Sequence, residues 1–393
     1  MPISAENNLA NISVEIDGKT KLASQTSAGE IDTFSGVMIT DLSVDLELNS
    51  PDMFTVGYKL LVDGELTFID SILEGMPVSI SMGYGSTADM ETVFSGEVVY
   101  VEPTFRTEGE SSLMISGYDR SHRLTRGTQS KSWDDKEADS FDYPGVVDDI
   151  VSGSGSHDGG GSDNLALDGM ESQMPSFRHV PQLATNDYKF IRSLGFDVGL
   201  TTGARAENEG KLQFANTEIG DTRFTICRVK LDGDNPVHGK EVSFRLNTAN
   251  QVSRVEVRGW DPNTKKNIVG VAETPEVDFG EGGTPATDAT ADALYGGGEG
   301  RKIVVVNHPV YSKDEANAVA QAILEQVCME FIEGEAVILG EPTLSPGNAI
   351  AFKGYGNRFD GRYLVTAVQH SYEPEGSPYI CRLKFQRNCV NPA

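Results

Sequence analysis

Apolar and polar side chains alternate along much of residues 10–123, and this period of two predicts a run of β-strands. The alternating apolar positions are Ile12, Val14 and Ile16 in ISVEI, Leu42, Val44, Leu46 and Leu48 in LSVDLEL, and Val78, Ile80 and Met82 in PVSISM. Turn sequences such as DG at 17–18 and SP at 50–51 separate the strands. Residues 1–125 are therefore predicted to form a first domain, a small antiparallel barrel or sandwich.

The pattern changes after Arg126, and residues 126–240 are predicted to form a mixed α and β region. In YPGVVDDIVS the side chains of Val146, Val147, Ile150 and Val151 fit one face of a short helix. SGSGSHDGGGSDN has the composition of a flexible loop. A second helix is predicted from about Thr185 or Asn186, with Phe190, Ile191 and Leu194 facing inward.

Strands resume in residues 241–393, which are predicted to form a second β-domain. Residues 271–300 contain acidic but no basic residues and little hydrophobic pattern, so we interpret them as an exposed acidic loop. The clearest helix is predicted over residues 313–333. Ser312 and Glu315 match a capping box before it, and Gly334 stands where a C-terminal cap belongs.

Composition and charge exclude some classes of protein. The chain has 393 residues, 32 Lys and Arg against 59 Asp and Glu, and a formal net charge of −27, which argues against nucleic-acid binding because phosphate would be repelled. The sequence has no run approaching 18 apolar residues and no signal-peptide pattern, so direct membrane insertion is not expected. Four cysteines without a CxxC pair are typical of a cytosolic protein.

The motifs of catalysis and cofactor binding are missing from the sequence. It contains no HExxH, GxSxG, Walker A or GxGxxG pattern, and its six histidines have no metal-ligand spacing. YGGGEGRK runs into the strand IVVV instead of opening a helix, so it lacks the context of a phosphate-binding loop. We therefore predict no catalytic residue, no metal and no cofactor, and a protein that is not an enzyme.

One short segment concentrates basic side chains in this acidic chain. GYDRSHRLTRG, at residues 117–127, carries Arg120, His122, Arg123 and Arg126. The segment could be an active site, or a strand that leaves the first domain with arginines pairing with acidic groups of the same or a neighbouring subunit. Without a nucleophile motif, we favour an interface or domain junction.

The ordered set of sequence segments resembles a known family. GYDRSHRLTRG after GEVVYVEPTFRTEGESSLMIS resembles the end of the first barrel in the late-control D family of contractile phage tails and in the hub part of VgrG proteins. VSRVEVRGWDPNTKKNIVG and GEPTLSPGNAIAFKGYGNRFDGRYLVTAVQHSY resemble the second barrel of that family, and ATNDYKFIRSLGFDVGL and GKLQF resemble segments between the two. The resemblance covers most of residues 10–388.

The resemblance implies a β-rich fold with two tube-like antiparallel β-barrel domains that flank a mixed α/β insert. It also implies a homotrimeric structural hub in a baseplate or tail tip, which adapts a hexameric inner tube to a trimeric spike. The expected partners are further copies of the chain, the inner tube protein, the spike protein and other baseplate components. Such a protein would be assembled in the bacterial cytoplasm and become part of a phage tail-like particle.

VgrG chains continue into an oligonucleotide-binding-fold domain and a β-helical spike, whereas this sequence stops at Ala393. Either the spike is a separate protein or the sequence has been trimmed. Arg120, Arg123 and Arg126 are candidate junction or interface residues, and Trp260 is either an interface anchor or a core residue, with the core slightly favoured. The alternative functions are a cell-wall-degrading tail enzyme and a glycan-binding adhesin.

Overall fold

The computed structural model of the chain describes residues 10–18, 20–22, 37–60, 69–84, 90–134, 142–152, 165, 167–170, 177, 179–204, 211–216, 219–228, 237–261, 264–277, 279, 283–288, 301–373 and 379–391. The strands are β1 (Ala10–Ile16), β2 (Thr20–Leu22), β3 (Val37–Glu47), β4 (Met53–Leu60), β5 (Pro77–Tyr84), β6 (Glu91–Thr104), β7 (Ser111–Tyr118), β8 (Gln129–Asp134), β9 (Leu167–Met170), β10 (His179–Thr185), β11 (Leu200–Ala204), β12 (Leu212–Asn216), β13 (Thr222–Cys227), β14 (Val237–Leu246), β15 (Arg254–Asp261), β16 (Lys266–Ala272), β17 (Thr284–Pro285), β18 (Lys302–Val305), β19 (Ile332–Leu339), β20 (Ala349–Lys353), β21 (Gly361–Tyr372), β22 (Tyr379–Arg387) and β23 (Cys389–Val390). The main α-helices are α1 (Tyr143–Val151), α2 (Asp187–Val198) and α3 (Lys313–Met329).

The first barrel consists of β1 and β3–β7, which lie in the order β1-β5-β6-β7-β4-β3 with all neighbours antiparallel. Alternation along each strand sends every second side chain into one core. The apolar positions predicted from the sequence are buried there, apart from Leu48, which is half-buried. Phe54, Tyr58 and Phe94 fill the centre of this core.

The second barrel consists of β13, β14 and β19–β22, in the order β21-β20-β13-β14-β19-β22. It closes on itself because β22 also pairs with β21. β13 runs parallel to β14 and β20, whereas the other pairs are antiparallel. Strand pairing therefore extends this barrel upstream of residue 241. The structure confirms the fold class predicted from the resemblance, a β-rich protein with two tube-like β-barrels.

The two barrels repeat one strand order. Five strands follow one another as β3-β4-β7-β6-β5 in the first barrel and as β14-β19-β22-β21-β20 in the second. The chief difference lies between the first two strands of each set. A short turn containing Asn49 joins β3 to β4, whereas a sheet of β16, β15 and β18 and the helix α3 are inserted between β14 and β19.

The barrels are joined edge to edge by β3 and β21. These strands pair antiparallel from Leu42 opposite Tyr372 to Glu47 opposite Ala367. On the outer face, the Gln369 Nε2 donates a hydrogen bond of 2.7 Å to the Asp45 carboxylate. We call this pairing the internal joint; it makes one thirteen-stranded sheet of both barrels.

The middle region has a hydrophobic core of its own. Val146, Val147, Ile150 and Val151 of α1 are buried there, as predicted, against Phe190, Ile191 and Leu194 of α2 and residues of β8 and β10–β12. Asn186 caps α2, since its side chain accepts from the Lys189 N–H. Gly199 ends the helix at a positive φ of 78°, a left-handed conformation that favours glycine. The predicted mixed α and β character of this insert is confirmed.

Two predicted boundaries shift. The helix α3 begins after Ser312 as expected, but it ends at Met329, because Ile332 and Gly334 enter β19. Within the predicted acidic loop 271–300, β16 continues to Ala272, and β17 pairs with β23 at the C-terminal end. Phe279 and Ala286 are buried, so these parts are not exposed; residues 278, 280–282 and 289–300 lie outside the described residues.

No helix in the described part of the chain is long and apolar enough to cross a membrane.

Candidate functional site

The basic segment GYDRSHRLTRG lies where the first barrel meets the middle region. β7 ends at Tyr118, and residues Arg120–Thr125 form a 3-10 helix. Asp119 caps this helix, because its carboxylate accepts from the Ser121 N–H at 2.6 Å. Leu124 packs in the core of the middle region, so the segment connects two cores.

Arg123 neutralises a buried carboxylate of the first barrel. Glu97 on β6 is 4% exposed, and the Arg123 Nε donates to its two oxygens at 3.0 and 3.1 Å, with a further bond from Nη2. Burial acts to raise the pKa of Glu97, but the hydrogen bonds and charge of Arg123 outweigh it and leave that pKa below its usual range. Glu97 is therefore ionised and held by a forked ion pair.

His122 is neutral and oriented by its neighbours. Its Nδ1 lies 2.7 Å from the Asp119 carbonyl oxygen, which can only accept, so Nδ1 carries the proton. Nε2 then accepts from the Arg126 guanidinium at 3.2 Å and lies 3.3 Å from a Glu97 carboxylate oxygen. Burial lowers the pKa of His122, which agrees with this assignment. The ring also stacks on Tyr118, with centroids 5.8 Å apart.

Two further carboxylates are buried beside the 3-10 helix. The Asp119 carboxylate accepts from the Asp52 N–H, and the Asp119 N–H donates to the Asp52 carbonyl oxygen at 2.9 Å. The Asp52 side chain in turn accepts from the Glu47 N–H at 3.2 Å. Burial, together with the nearby Asp52 charge, raises the pKa of Asp119. These contacts tie β7 to the turn between β3 and β4.

The four predicted site residues therefore have different surroundings. Arg123 and Arg126 lie in the network just described. Arg120 is half-buried and makes no hydrogen bond or ion pair with the described residues. Trp260 lies elsewhere, on β15 of the inserted sheet, and is 54% exposed, so the slightly favoured core placement is wrong.

Trp260 is exposed because α3 covers only one face of the inserted sheet. Val255 and Val257 of β15 are buried on that side, and Gly270 of β16 lies so close to α3 that a Cβ there would collide with the Ala316 main chain. Trp260 points to the other face, together with Arg258 and with Val304 of β18. Local alternation in the sequence cannot tell which face a later helix will cover.

The contacts of the basic segment hold the first barrel and the middle region in place. Among the described residues they include no group of side chains arranged for catalysis. Glu97 is paired with Arg123, the Asp119 carboxylate accepts from main-chain N–H groups, and no group of three or more His, Cys, Asp or Glu side chains in the described ranges could hold a metal ion. Sequence reasoning missed Glu97, the partner of Arg123, and the internal joint. The similarity of DLSVDL at 41–46 to EVSFRL at 241–246 indicates a repeated strand, and this repeat could have pointed to the joint.

The fold is shared with phage tail proteins. The 43 kDa tail protein of prophage MuSo2 from Shewanella oneidensis is 13% identical, with a TM-score of 0.64 over 98% of this chain and 100% of its own. A tail protein from Neisseria meningitidis MC58 is 12% identical, with a TM-score of 0.65 over 96% of this chain and 97% of its own. At such identities the similarity concerns the fold alone.

A third similar structure comes from a secretion system. It is an E. coli component of the type VI secretion system, described as structurally similar to the T4 phage tail proteins gp27 and gp5. It is 13% identical, with a TM-score of 0.56 over 97% of this chain and 79% of its own. The resemblance to tail and hub-like proteins thus holds at the level of the fold.

Sequence comparison adds one match. Residues 203–373 match the family model of the Alg8 N-terminal domain, so the matching model is not that of the late-control D family. No curated protein sequence matches the chain.

Proposed function

We propose that this protein is a structural hub in the baseplate or tail tip of a contractile injection system or phage tail. Three copies would form a ring that adapts a hexameric inner tube to a trimeric spike. The observation that carries the proposal is the strand order common to both barrels, β3-β4-β7-β6-β5 and β14-β19-β22-β21-β20. Similarity in fold to prophage tail proteins supports a place in the same kind of assembly.

The repeat gives the adaptor its geometry. Three chains with two barrels each contain six barrels of related structure, which suit a tube with six subunits per ring. The middle region and the inserted sheet with α3 occur once per chain and would repeat three times. One side of the ring could therefore follow sixfold symmetry while the other follows threefold symmetry.

The internal contacts suit a component that transmits force. The internal joint fixes one barrel to the other through main-chain pairing, and the ion pair of Arg123 with Glu97 fixes the first barrel to the middle region. A hub needs such rigidity because its two barrels must keep the spacing of neighbouring tube subunits. This role requires no bond chemistry.

The partners would be further copies of this chain, the inner tube protein, the spike protein and other baseplate components. Assembly would take place in the bacterial cytoplasm, before the protein becomes part of the particle. Arg120, Arg126 and Trp260 are candidates for contacts with these partners, since Arg126 and Trp260 are exposed and Arg120 is unpaired among the described residues. Arg123 is bound within the chain.

Native mass spectrometry of the purified chain at two salt concentrations tests the proposal. We expect a trimer, and negative-stain averages along the ring axis should show six similar inner densities. A monomer, a dimer or a tetramer at both salt concentrations would contradict the hub. Cell-wall suspensions should stay turbid when the protein is added, whereas clearing would favour the enzyme alternative.

A further inference from the structure

We infer that β14 of one copy pairs with β6 of the next copy, in the register by which β3 pairs with β21 inside the chain. The inference rests on the proposed hub and names the surface by which its subunits meet. It would turn the thirteen-stranded sheet of each chain into one sheet that runs around the ring. Five observations on the two strands support it.

The first observation is that both strands have unpaired edges. β14 pairs with β13 only at Val237 and His238, and no described strand pairs with the rest of that edge, Glu241–Leu246. β6 pairs with β5 as far as Glu97. Beyond it, at Tyr100–Thr104, the edge of β6 that faced β5 pairs with no described strand. Free strand edges readily pair with other chains.

The second observation is that β6 repeats β21 in detail. Val98 exchanges main-chain bonds of 2.8 and 2.9 Å with Gly75 and Met76, and Val365 does the same with Gly347 and Asn348. Just after these residues the register shifts in both barrels, in the pairing of β6 with β7 and in that of β21 with β22. The sequences VVYVEPTF at 98–105 and VTAVQHSY at 365–372 align from these points. Tyr100–Phe105 therefore correspond to Ala367–Tyr372, the half of the internal joint on β21.

The third observation is that β14 repeats β3 equally closely. The register of β3 against β4 slips between Ile39 and Asp41, and that of β14 against β19 slips between Gly239 and Glu241. Thus DLSVDL at 41–46 corresponds to EVSFRL at 241–246. Leu42–Leu46, which pair with β21 in the internal joint, therefore correspond to Val242–Leu246.

The fourth observation is that the side chains along the two free edges are less buried than those of the internal joint. In the internal joint Val44, Val368 and Tyr372 are at most 2% exposed. The side chains at the corresponding positions are less buried: Phe244 and Val101 are half-buried, and Phe105 is 57% exposed. Pairing of β14 with β6 would cover this apolar surface, which is the main free-energy gain expected from the contact.

The fifth observation is charge complementarity. Gln369 and Asp45 face each other in the internal joint and form a hydrogen bond. At the corresponding positions stand Glu102 and Arg245, which would face each other across the two copies. Both are exposed, and neither has an ion-pair partner among the described residues. Opposite charges directly across an antiparallel pair stabilise it, whereas like charges destabilise it.

The contact is heterologous, because it joins two different surfaces, β14 of one copy and β6 of the next. Such head-to-tail contacts close into rings or continue as filaments. In a ring of three, the three internal joints would alternate with three joints between copies. Pro103 corresponds to His370 but has no main-chain N–H. The joint between copies therefore has at most one hydrogen-bond donor fewer than the internal joint. A proline there also protects the free edge before assembly.

Cysteine cross-linking tests the register. Thr104 and Ser243 correspond to Ser371 and Ser43, which face each other in the internal joint. A chain with T104C and S243C should form disulfides between copies on mild oxidation and give a covalent trimer on a non-reducing gel. The matched control, T104C with N247C, separates the thiols by roughly 13 Å along the strand and should cross-link at least about tenfold more slowly.

Charge reversal tests the pair itself. E102R or R245E alone should raise the concentration needed for half-assembly roughly tenfold, because the change acts at all three contacts, and the double variant should restore assembly. E91R and R223E make the same changes of net charge at exposed positions outside the joint and should have little effect.

The outcomes separate this inference from the proposed hub. A wild-type trimer without in-register cross-links, or one that tolerates both reversals, would overturn the strand pairing and leave the hub standing. In-register cross-links in an oligomer of another size would support the pairing and overturn the trimer. A wild type that stays monomeric and forms no cross-links would overturn both.

Discussion

The ring of Phe54 on β4 lies against Gly117, its cross-strand partner on β7. In the second barrel the same strand pair has the two residue types exchanged, with Gly334 on β19 and Phe385 on β22. One aromatic ring thus occupies the same space in each barrel but comes from opposite strands. The barrels share a packing plan more closely than they share residues.

Gly117→Ala is expected to destabilise the fold by about 2 kcal/mol, the cost of overpacking a filled core. A Cβ at Gly117 would collide with the Glu97 carbonyl oxygen and lie 2.8 Å from the Phe54 ring. Chemical unfolding followed by fluorescence measures the effect. Gly220→Ala, where a Cβ would meet nothing within 4 Å, is the control and should change stability by less than about 0.5 kcal/mol. Equal effects of both variants would contradict the packing argument.

Arg123→Ala is expected to cost about 3 kcal/mol, because it removes the forked hydrogen bonds of the buried Glu97 carboxylate and leaves the His122 ring, 3.3 Å away, as its nearest ion-pair neighbour. Arg120→Ala removes the same type of side chain three residues away and should change stability by less than about 0.5 kcal/mol. Adding Glu97→Gln to Arg123→Ala should recover part of the loss, since it removes the unpaired charge. Unfolding midpoints of the four proteins check this, and a double variant less stable than Arg123→Ala would argue against a charge effect.

The parts of the fold that could be predicted from the sequence are those set by neighbouring residues. The strands around Val14 and Ile80 and the buried face of α2 follow from periodicity alone. The internal joint does not, because Gln369 and Asp45 are 324 positions apart and nothing local specifies their pairing. For Trp260 the strand was predicted, but its exposed face depends on where α3 packs.

The candidate site divides in the same way. The basic side chains of the 3-10 helix stand out in an acidic chain, so the segment could be found from the sequence. Its purpose could not, because Glu97 is only one of 59 acidic residues, and burial is what distinguishes it. The repeat of β3 in β14 is visible once the strands are aligned, but it rests on a few core positions separated by unrelated surface residues.

The native thiols are expected to be unreactive. Cys227, Cys328, Cys381 and Cys389 are all buried, and burial raises the pKa of Cys328 and of Cys381 to about 12. Because the thiolate is the reacting form, a thiol-reactive dye should label the folded protein slowly and all four cysteines after unfolding. Rapid labelling of one cysteine in the folded state would contradict this burial and would require its replacement before cross-linking.

Acid is expected to destabilise the second barrel through His370. The ring is buried between β21 and β22, where Nδ1 accepts from the Tyr379 hydroxyl at 2.8 Å and Nε2–H donates to the Leu344 carbonyl oxygen at 3.1 Å. Burial lowers the pKa of His370 from 6.5 to about 4. Well above pH 6.5 the imidazole is neutral in both the folded and the unfolded chain, so it causes no pH dependence there.

As the pH falls from 6.5 towards 4, the unfolded chain binds a proton that folded His370 does not. Stability should therefore fall over this window, by about 3 kcal/mol in all at 1.4 kcal/mol per pKa unit. His370→Gln keeps one acceptor and one donor but cannot titrate, so it should be less stable at pH 7 and lose less on acidification. Urea unfolding of both proteins at pH 7, 6 and 5 isolates the contribution, since the other carboxylates and histidines are common to them. Parallel pH profiles would mean that His370 takes up its proton in the folded barrel as readily as in the unfolded chain.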